Sequence, residues 1–243
     1  MKLKDISTKP PDRESKEETE EQFNNLKDTF SELQNRFYAW GEKSLLIILQ
    51  GMDASGKDGT VKDVFCGINP AGIRVTSYKM PTEEELKHDF LWRIHKNMPE
   101  KGLIGVFNRS HYEDLILPIV HGEKAEVTES RIQSINSFEK HLTDNDTVIL
   151  KFYLHVSEEA QRERIKDREK NPEKMWKYDP NDIKVVNTRE KFIRAYDIAL
   201  NQCSEPVPWH VIPADKNRYR NLLILKQIVH TLEKMNPQYP VLR

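Results

Sequence analysis

The sequence predicts an α/β protein: a three-layer α/β/α sandwich around a mostly parallel five-stranded sheet, with a helical lid. Three observations predict it. Short continuous apolar runs alternate with segments of helical periodicity along the 243 residues, the pattern of strands buried on both faces and joined by crossover helices. The first apolar run leads straight into a glycine loop and then a helix. A charged helical segment follows the fourth run, where a flap over the sheet edge would sit.

Residues 1–12, ending in Pro10-Pro11, read as a flexible arm. From Asp12 to about Ala39 the chain is rich in Glu and Lys, with Phe23, Leu26, Phe30, Leu33 and Phe37 at three- and four-residue spacing. That spacing makes one apolar stripe on an amphipathic helix. Leu45-Leu46-Ile47-Ile48-Leu49 is too short for a stable helix of its own and predicts a strand buried on both faces. Ile73 to Tyr78, Leu103 to Phe107, Thr147 to Val156 and Trp209 to Ile212 predict four more strands. Helical patterns lie between them at about 57–66, 82–97, 110–119 with 128–142, 157–169, 181–202 and 215–235. The expected organisation is an arm and helix over 1–40 and one domain over 41–243, with the lid at about 157–180.

Lys and Arg number 38 against 39 Asp and Glu. A general nucleic-acid binder is usually strongly basic, so an anion site here must be local and no nucleic-acid partner is expected. Mean hydropathy is −0.73, and the sequence has no apolar run of membrane-spanning length and no apolar leader. A cytoplasmic protein without a membrane partner is the expectation. Cys66 and Cys203 lie far apart, and the eight histidines have no metal-ligand spacing. No Ser-His-Asp or Cys-His arrangement is apparent. A phosphate acceptor is already ionised at neutral pH, so a kinase acting on one needs no general base.

The glycine loop carries the chemistry. Gly51-Met52-Asp53-Ala54-Ser55-Gly56-Lys57-Asp58-Gly59-Thr60 follows the first strand and opens a helix, the context of a P-loop (Walker A) kinase motif. Glycines let successive N–H groups turn inward, and the helix presents its positive end to phosphate. Lys57 supplies a mobile ammonium. The position that usually holds a Mg2+-ligating Ser or Thr is Asp58, and a second carboxylate, Asp53, lies inside the loop. Asp53 and Asp58 are therefore the candidate metal ligands, for Mg2+ or for Mn2+ in its place. Asp58 has a second reading, a charge that stabilises a helix N-terminus.

Ligands of open parallel sheets bind beyond the carboxyl ends of the strands. The third strand delivers Asn108-Arg109-Ser110 to that edge. Asn108 could orient metal-bound water or a phosphate, and Arg109 offers a planar fork for phosphate oxygens. Glu113 reads either as a pocket residue one turn into the next helix or as an ordinary first-turn charge. Lys79, after the second strand, and Arg93 read as phosphate ligands or as surface charges. Beyond the fourth strand Ser157-Glu158-Glu159-Ala160 starts a helix on which Arg164 and Arg168 share a face. That helix reads as a salt-bridged surface element or as an arginine-bearing lid over the transferring group.

In order and spacing these segments resemble the polyphosphate kinase 2 family. Gln50 to Thr60 is similar to its first motif, Phe107-Asn108-Arg109-Ser110-His111-Tyr112-Glu113 to its second, and the run with Arg164, Arg168, Pro172, Trp176 and Lys177 to its third. The resemblance spans about residues 35–235. It implies a Mg2+-dependent transferase that moves phosphoryl groups between inorganic polyphosphate and nucleotides. By position it implies catalytic roles for Asp53, Lys57, Asp58, Arg109 and Arg168. The Asn108 and Glu113 pair resembles the class that phosphorylates both AMP and ADP to make ATP; many other members have Asp and Asn there. Adenine nucleotides, with guanine nucleotides as a second option, and a homo-oligomer (dimer or tetramer) are the implied partners. The alternatives are an ATP-dependent nucleoside monophosphate kinase, against which Asp58 counts, and a noncatalytic phosphate-binding regulator.

Overall fold

The structure is a computed structural model that describes residues 1–177, 186 and 188–241. Its sheet has five strands, β1 (Ser44–Gln50), β2 (Ile73–Ser77), β3 (Ile104–Asn108), β4 (Thr147–His155) and β5 (Trp209–Pro213), in the order β2-β3-β1-β4-β5. All neighbouring pairs are parallel, with Leu49 opposite Asn108 on one side and Phe152 on the other. Each of the five predicted strands is present, with ends shifted by one residue at most.

The helices are α1 (Lys16–Trp40), α2 (Lys57–Val64), α3 (Trp92–His95), α4 (Glu113–Val120), α5 (Ala125–Asp144), α6 (Glu158–Lys170), α7 (Arg189–Gln202) and α8 (Asn217–Met235). Every residue of β1 is buried, and the alternation of a strand sends its side chains into two different layers. Leu45, Ile47 and Leu49 pack with Phe30, Leu33 and Phe37 of α1 and with Ile224 and Ile228 of α8. Leu46 and Ile48 pack in the other layer with Ile116, Ile135 and Tyr196 of α4, α5 and α7. The chain goes from β1 to β2 and β3 on one side, then crosses to β4 and β5 on the other. The loops after β1 and β3 therefore meet at the carboxyl edge where the order reverses.

Local chemistry accounts for the departures. Helix α1 starts at Lys16 rather than Asp12, because the Ser15 side chain accepts from Glu18 N and caps it. The predicted helix over 82–97 is broken into a 3-10 turn, Glu85–Lys87, and the short α3. Thr82 and Glu85 exchange capping hydrogen bonds of 2.9 and 3.2 Å. Then Asp89 Oδ1 takes the Leu91 N–H at 2.9 Å, competing with helix continuation. The early parts of the helix predicted over 181–202 (181–185 and 187) and the last lid residues (178–180) lie outside the described residues.

The N-terminal segment is not the flexible arm expected. Leu3 is fully buried and its N–H donates to Asp197 Oδ1 at 2.8 Å. His155 Nε2 lies 3.2 Å from Ile6 O, and Thr8 Oγ1 donates to Asp215 Oδ2 at 2.9 Å. An apolar anchor three residues from the start offsets the entropy of ordering the segment, which is why its polar composition misled. No helix among the described residues is long and apolar enough to cross a membrane.

A fully buried ion pair ties the second layer together. Lys151 Nζ donates to Glu139 Oε2 at 2.6 Å, to Tyr112 Oη at 3.0 Å and to Cys203 O at 2.7 Å. Burial opposes the Glu139 charge, but His111 and Lys151 hold its carboxyl below the ordinary range. Removing one partner strands a charge in the core. Lys151→Met should cost about 3 kcal/mol and about 6–12 °C in Tm by thermal melting. Adding Glu139→Gln to it should recover part of the loss. A Tm within about 2 °C of wild type for the single variant would contradict this account.

A phosphate loop closed by its own charges

The glycine loop runs from Gly51 to Gly56 and ends as the N-cap of α2. Gly56 has φ 103°, and a Cβ there would lie 2.1 Å from Arg220 Nη1; only glycine fits both the backbone and the space. Lys57 is buried and folds back, donating to Gly51 O at 2.6 Å and Met52 O at 3.1 Å. Burial, with the neighbouring Arg109 charge, pulls its ammonium down to about 8.

Arg109 enters from the end of β3 in the left-handed region, φ 65°, where its N–H is held by Leu49 O at 3.0 Å. Its guanidinium bridges the loop and the next helix, with Nη2 on Asp53 Oδ1 and Nη1 on Glu113 Oε2 at 3.3 Å. Burial works against its charge, but Glu113 and Asp53 more than offset this, and it is held above its ordinary range. Glu113 is thus both the first residue of α4 and a pocket residue. Its carboxyl is raised by burial, against the pull of Arg109 and Lys57. Beneath it the Gln50 amide, turned so that its nitrogen faces Glu113 Oε1 at 3.0 Å, accepts from Ser110 N and Oγ, each at 3.0 Å. On the outer side Asn108 Nδ2 donates to Asp58 Oδ1 at 2.8 Å. Asp53, Lys57, Asp58, Asn108, Arg109 and Glu113 are therefore one constellation, drawn from two strand ends.

The remaining expected residues divide. Arg168 is half-buried one turn beyond Arg164 on α6 and close enough that its charge acts on Arg164. Arg164, expected to bind phosphate, is engaged with the protein: Nη1 donates to Ala54 O and Ser55 O at 3.0 Å each, and Nη2 to Ala214 O at 2.6 Å. It braces the back of the loop. Arg93 is also engaged, as a buried brace that donates to Lys79 O at 3.0 Å and pairs with Asp114 at 3.0 Å. Both guanidinium groups have donors taken up by the protein, so in this structure these two arginines act as supports. Lys79 and Asp58 are exposed at the same edge, Asp53, Gly56 and Gly59 are half-buried, and Ala54, Ser55 and Thr60 are buried.

Sequence reasoning missed four supporting residues. Gln161 Nε2 donates to Asp53 O at 2.9 Å and its Oε1 accepts from Arg189 Nη1 at 2.7 Å. Gln50 and Arg220 are fully buried under the site. Gln50 carried a signal, a polar residue closing an otherwise apolar strand; the others carried none. Ala54 packs with Ile165 of α6 and with Val186, so the lid helix rests on the tip of the loop.

This arrangement, a cationic glycine loop lined by carboxylates and facing a helical lid, defines a P-loop phosphotransferase. The model of the polyphosphate kinase 2 family matches residues 13–240, and the chain belongs to that family. It is 46% identical to the AMP/ADP-polyphosphate phosphotransferase of Meiothermus ruber, over 86% of this chain and 79% of that protein. It is 38% identical to the ADP-polyphosphate phosphotransferase of Rhodopseudomonas palustris, over 95% of this chain and 84% of that protein. The crystal structure of polyphosphate kinase 2 from Arthrobacter aurescens superposes with a TM-score of 0.96 at 34% identity, covering 100% of this chain and 88% of that one.

The lowered Lys57 ammonium fixes a pH dependence. In the ligand-free protein Lys57 is charged below about 8 and neutral above it, and a phosphate anion binds the charged form better. Affinity for tripolyphosphate, measured by calorimetry, should therefore be flat below pH 7 and fall as pH rises through 8, with proton uptake on binding. Affinity that rises over that interval would contradict the assignment.

Proposed function

We propose that the protein transfers phosphoryl groups from inorganic polyphosphate to AMP and to ADP. The observation that carries this reading is the pair of carboxylates inside the phosphate cradle, Asp53 and Asp58, with Asn108 holding Asp58. The cradle lacks the Ser or Thr that ordinarily fixes a nucleotide's Mg2+, and a polyphosphate donor has no base or sugar to recognise. The names of the Meiothermus and Rhodopseudomonas relatives support the same donor and acceptors.

Among the described residues no group of three or more His, Cys, Asp or Glu side chains is placed to hold a metal alone. Two carboxylates on a phosphate loop nevertheless fit Mg2+, which takes one or two protein carboxylates and completes its shell with water and substrate phosphates. Asp53 and Asp58 would hold it, directly or through water. When bound, the ion supplies charge neutralisation between donor and acceptor oxygens.

The chain's own residues do the rest. Lys57, released from the carbonyls of Gly51 and Met52, binds outer phosphate oxygens. Arg109, released from Asp53, turns Nη2 to the transferring group while Glu113 keeps Nη1 in place. Arg168, half-buried on the α6 helix that already packs against the loop, adds positive charge beside the transferring group. A terminal oxygen of the acceptor attacks in line, and the shortened polyphosphate leaves. No protein base takes part, because the attacking oxygen is already ionised.

Purified protein with Mg2+ should convert AMP to ADP and ATP when given long-chain polyphosphate, and ADP to ATP in a separate reaction, followed by nucleotide chromatography. Product from AMP only when ATP is the donor would contradict the reading and favour the nucleoside monophosphate kinase. Lys57→Ala should lower kcat/KM about 100- to 1000-fold with little change in Tm; unchanged turnover would show that the chemistry lies elsewhere.

A further inference from the structure

Among the described residues, the Lys151 and Arg220 side chains are completely buried cations, and they are treated differently. Lys151 has a carboxylate 2.6 Å away. Arg220, the largest fully buried side chain, donates Nη1 to Asn217 Oδ1 at 2.8 Å, and Nε and Nη2 to Asn221 Oδ1 at 3.1 and 2.9 Å. These acceptors are neutral amides, and among the described residues no carboxylate pairs with it. Asp63 is one residue removed, bound by Asn221 Nδ2 at 2.9 Å. Arg164 adds a second positive charge at the same amide, with Nη2 3.2 Å from Asn217 Oδ1.

Such an arrangement is costly. A buried charge without a counter-ion destabilises a fold, and an apolar side chain of like volume would fill the space at no such cost. Burial and the like charge of Arg164 pull the Arg220 guanidinium down to about 9, only partly opposed by the Asp63 carboxylate beyond Asn221, so it is charged at neutral pH. What lies on its other side is the phosphate loop: a Cβ on Gly56 would fall 2.1 Å from Nη1, and one on Gly59 3.6 Å from Nη2.

We propose that Arg220 is a positioning residue for polyphosphate: a fixed positive charge behind the glycine loop, with no carboxylate in direct contact, that acts on the bound anion across Gly56. Arg164 shares the role, and Asn217 holds the two guanidinium groups together through a neutral amide. The inference rests on the reading that the loop holds polyphosphate. It adds a rear layer of charge to the lysine and arginine that face the ligand, and it accounts for a strong anion site in a chain of almost balanced charge.

The test uses the full chain with AMP, Mg2+ and long-chain polyphosphate, together with tripolyphosphate calorimetry and thermal melting. Arg220→Met removes the charge; Arg220→Lys keeps it. Asn217→Asp leaves the shape intact and places a carboxylate between Arg164 and Arg220. Arg220→Met should raise KM for polyphosphate roughly tenfold, the scale of one charge at short range, with kcat within about twofold. Arg220→Lys should stay within about threefold of wild type in KM. Asn217→Asp should melt higher than wild type and yet bind tripolyphosphate more weakly, a divergence that a purely structural brace does not produce. Should Arg220→Met fail to fold, Asn217→Asp decides alone. Polyphosphate affinity unchanged in Asn217→Asp, or losses confined to kcat, would overturn the proposal. Wild-type protein that turns over no polyphosphate would instead overturn the reading on which it rests.

Discussion

The guanidinium of Arg109, held between Asp53 and Glu113, is the interaction around which the site is built. It joins the loop after β1 to the loop after β3, the two places where the order of the sheet reverses. Without it, two carboxylates would face each other across a cradle meant for anions. With it, and with Lys57 folded onto the loop carbonyls, the ligand-free site satisfies its own charges and holds its shape. Substrate and ion then exchange partners that already exist, instead of organising loose side chains, which lowers the entropic cost of assembling the reactive geometry.

The surrounding fold serves that exchange. Behind Arg109 and Glu113, the buried set of His111, Tyr112, Glu139 and Lys151 pins the turn to α5 and β4. Behind the glycine loop, Arg164 ties the backbone to the β5–α8 junction, and Arg220 packs beside it, bonded to Asn217. The first set pairs its lysine directly with a carboxylate and supports position. The second meets amide and carbonyl oxygens instead and supports both position and attraction. The N-terminal segment reaches the same junction, because Asp215 accepts from Thr8 and from Ser157 N, the cap of the lid helix.

Much of this was legible in the sequence, for physical reasons. A strand buried on both faces must be apolar throughout, so β1 announced itself, and the glycine loop after it could be only one kind of turn. Asp53, Lys57, Asp58, Asn108, Arg109 and Glu113 lie within a few residues of two strand ends, and topology alone brings those ends together. The protein-facing contacts of Arg93 and Arg164 were not legible, because an arginine on a helix has the same appearance in sequence whether it faces phosphate or carbonyls. Gln161 and the anchored Leu3 were invisible because Asp53 and Asp197, which they meet, lie far away in the chain. Arg220 bonds to its own helix, but the glycine loop it packs against is equally distant in sequence. Periodicity also overstated the helix at 82–97, where the side chains of Thr82 and Asp89 compete for the backbone.

The central claim is that Arg109 stands at Asp53 in place of the substrate's own cation. Calorimetric binding of tripolyphosphate to Asp53→Asn in the absence of any divalent ion tests it most directly. If the claim holds, removing the Asp53 charge frees Arg109, and the bare anion binds more tightly than to wild type, by about tenfold, although turnover with Mg2+ is lost. Weaker or unchanged binding of the bare anion by that variant would contradict it.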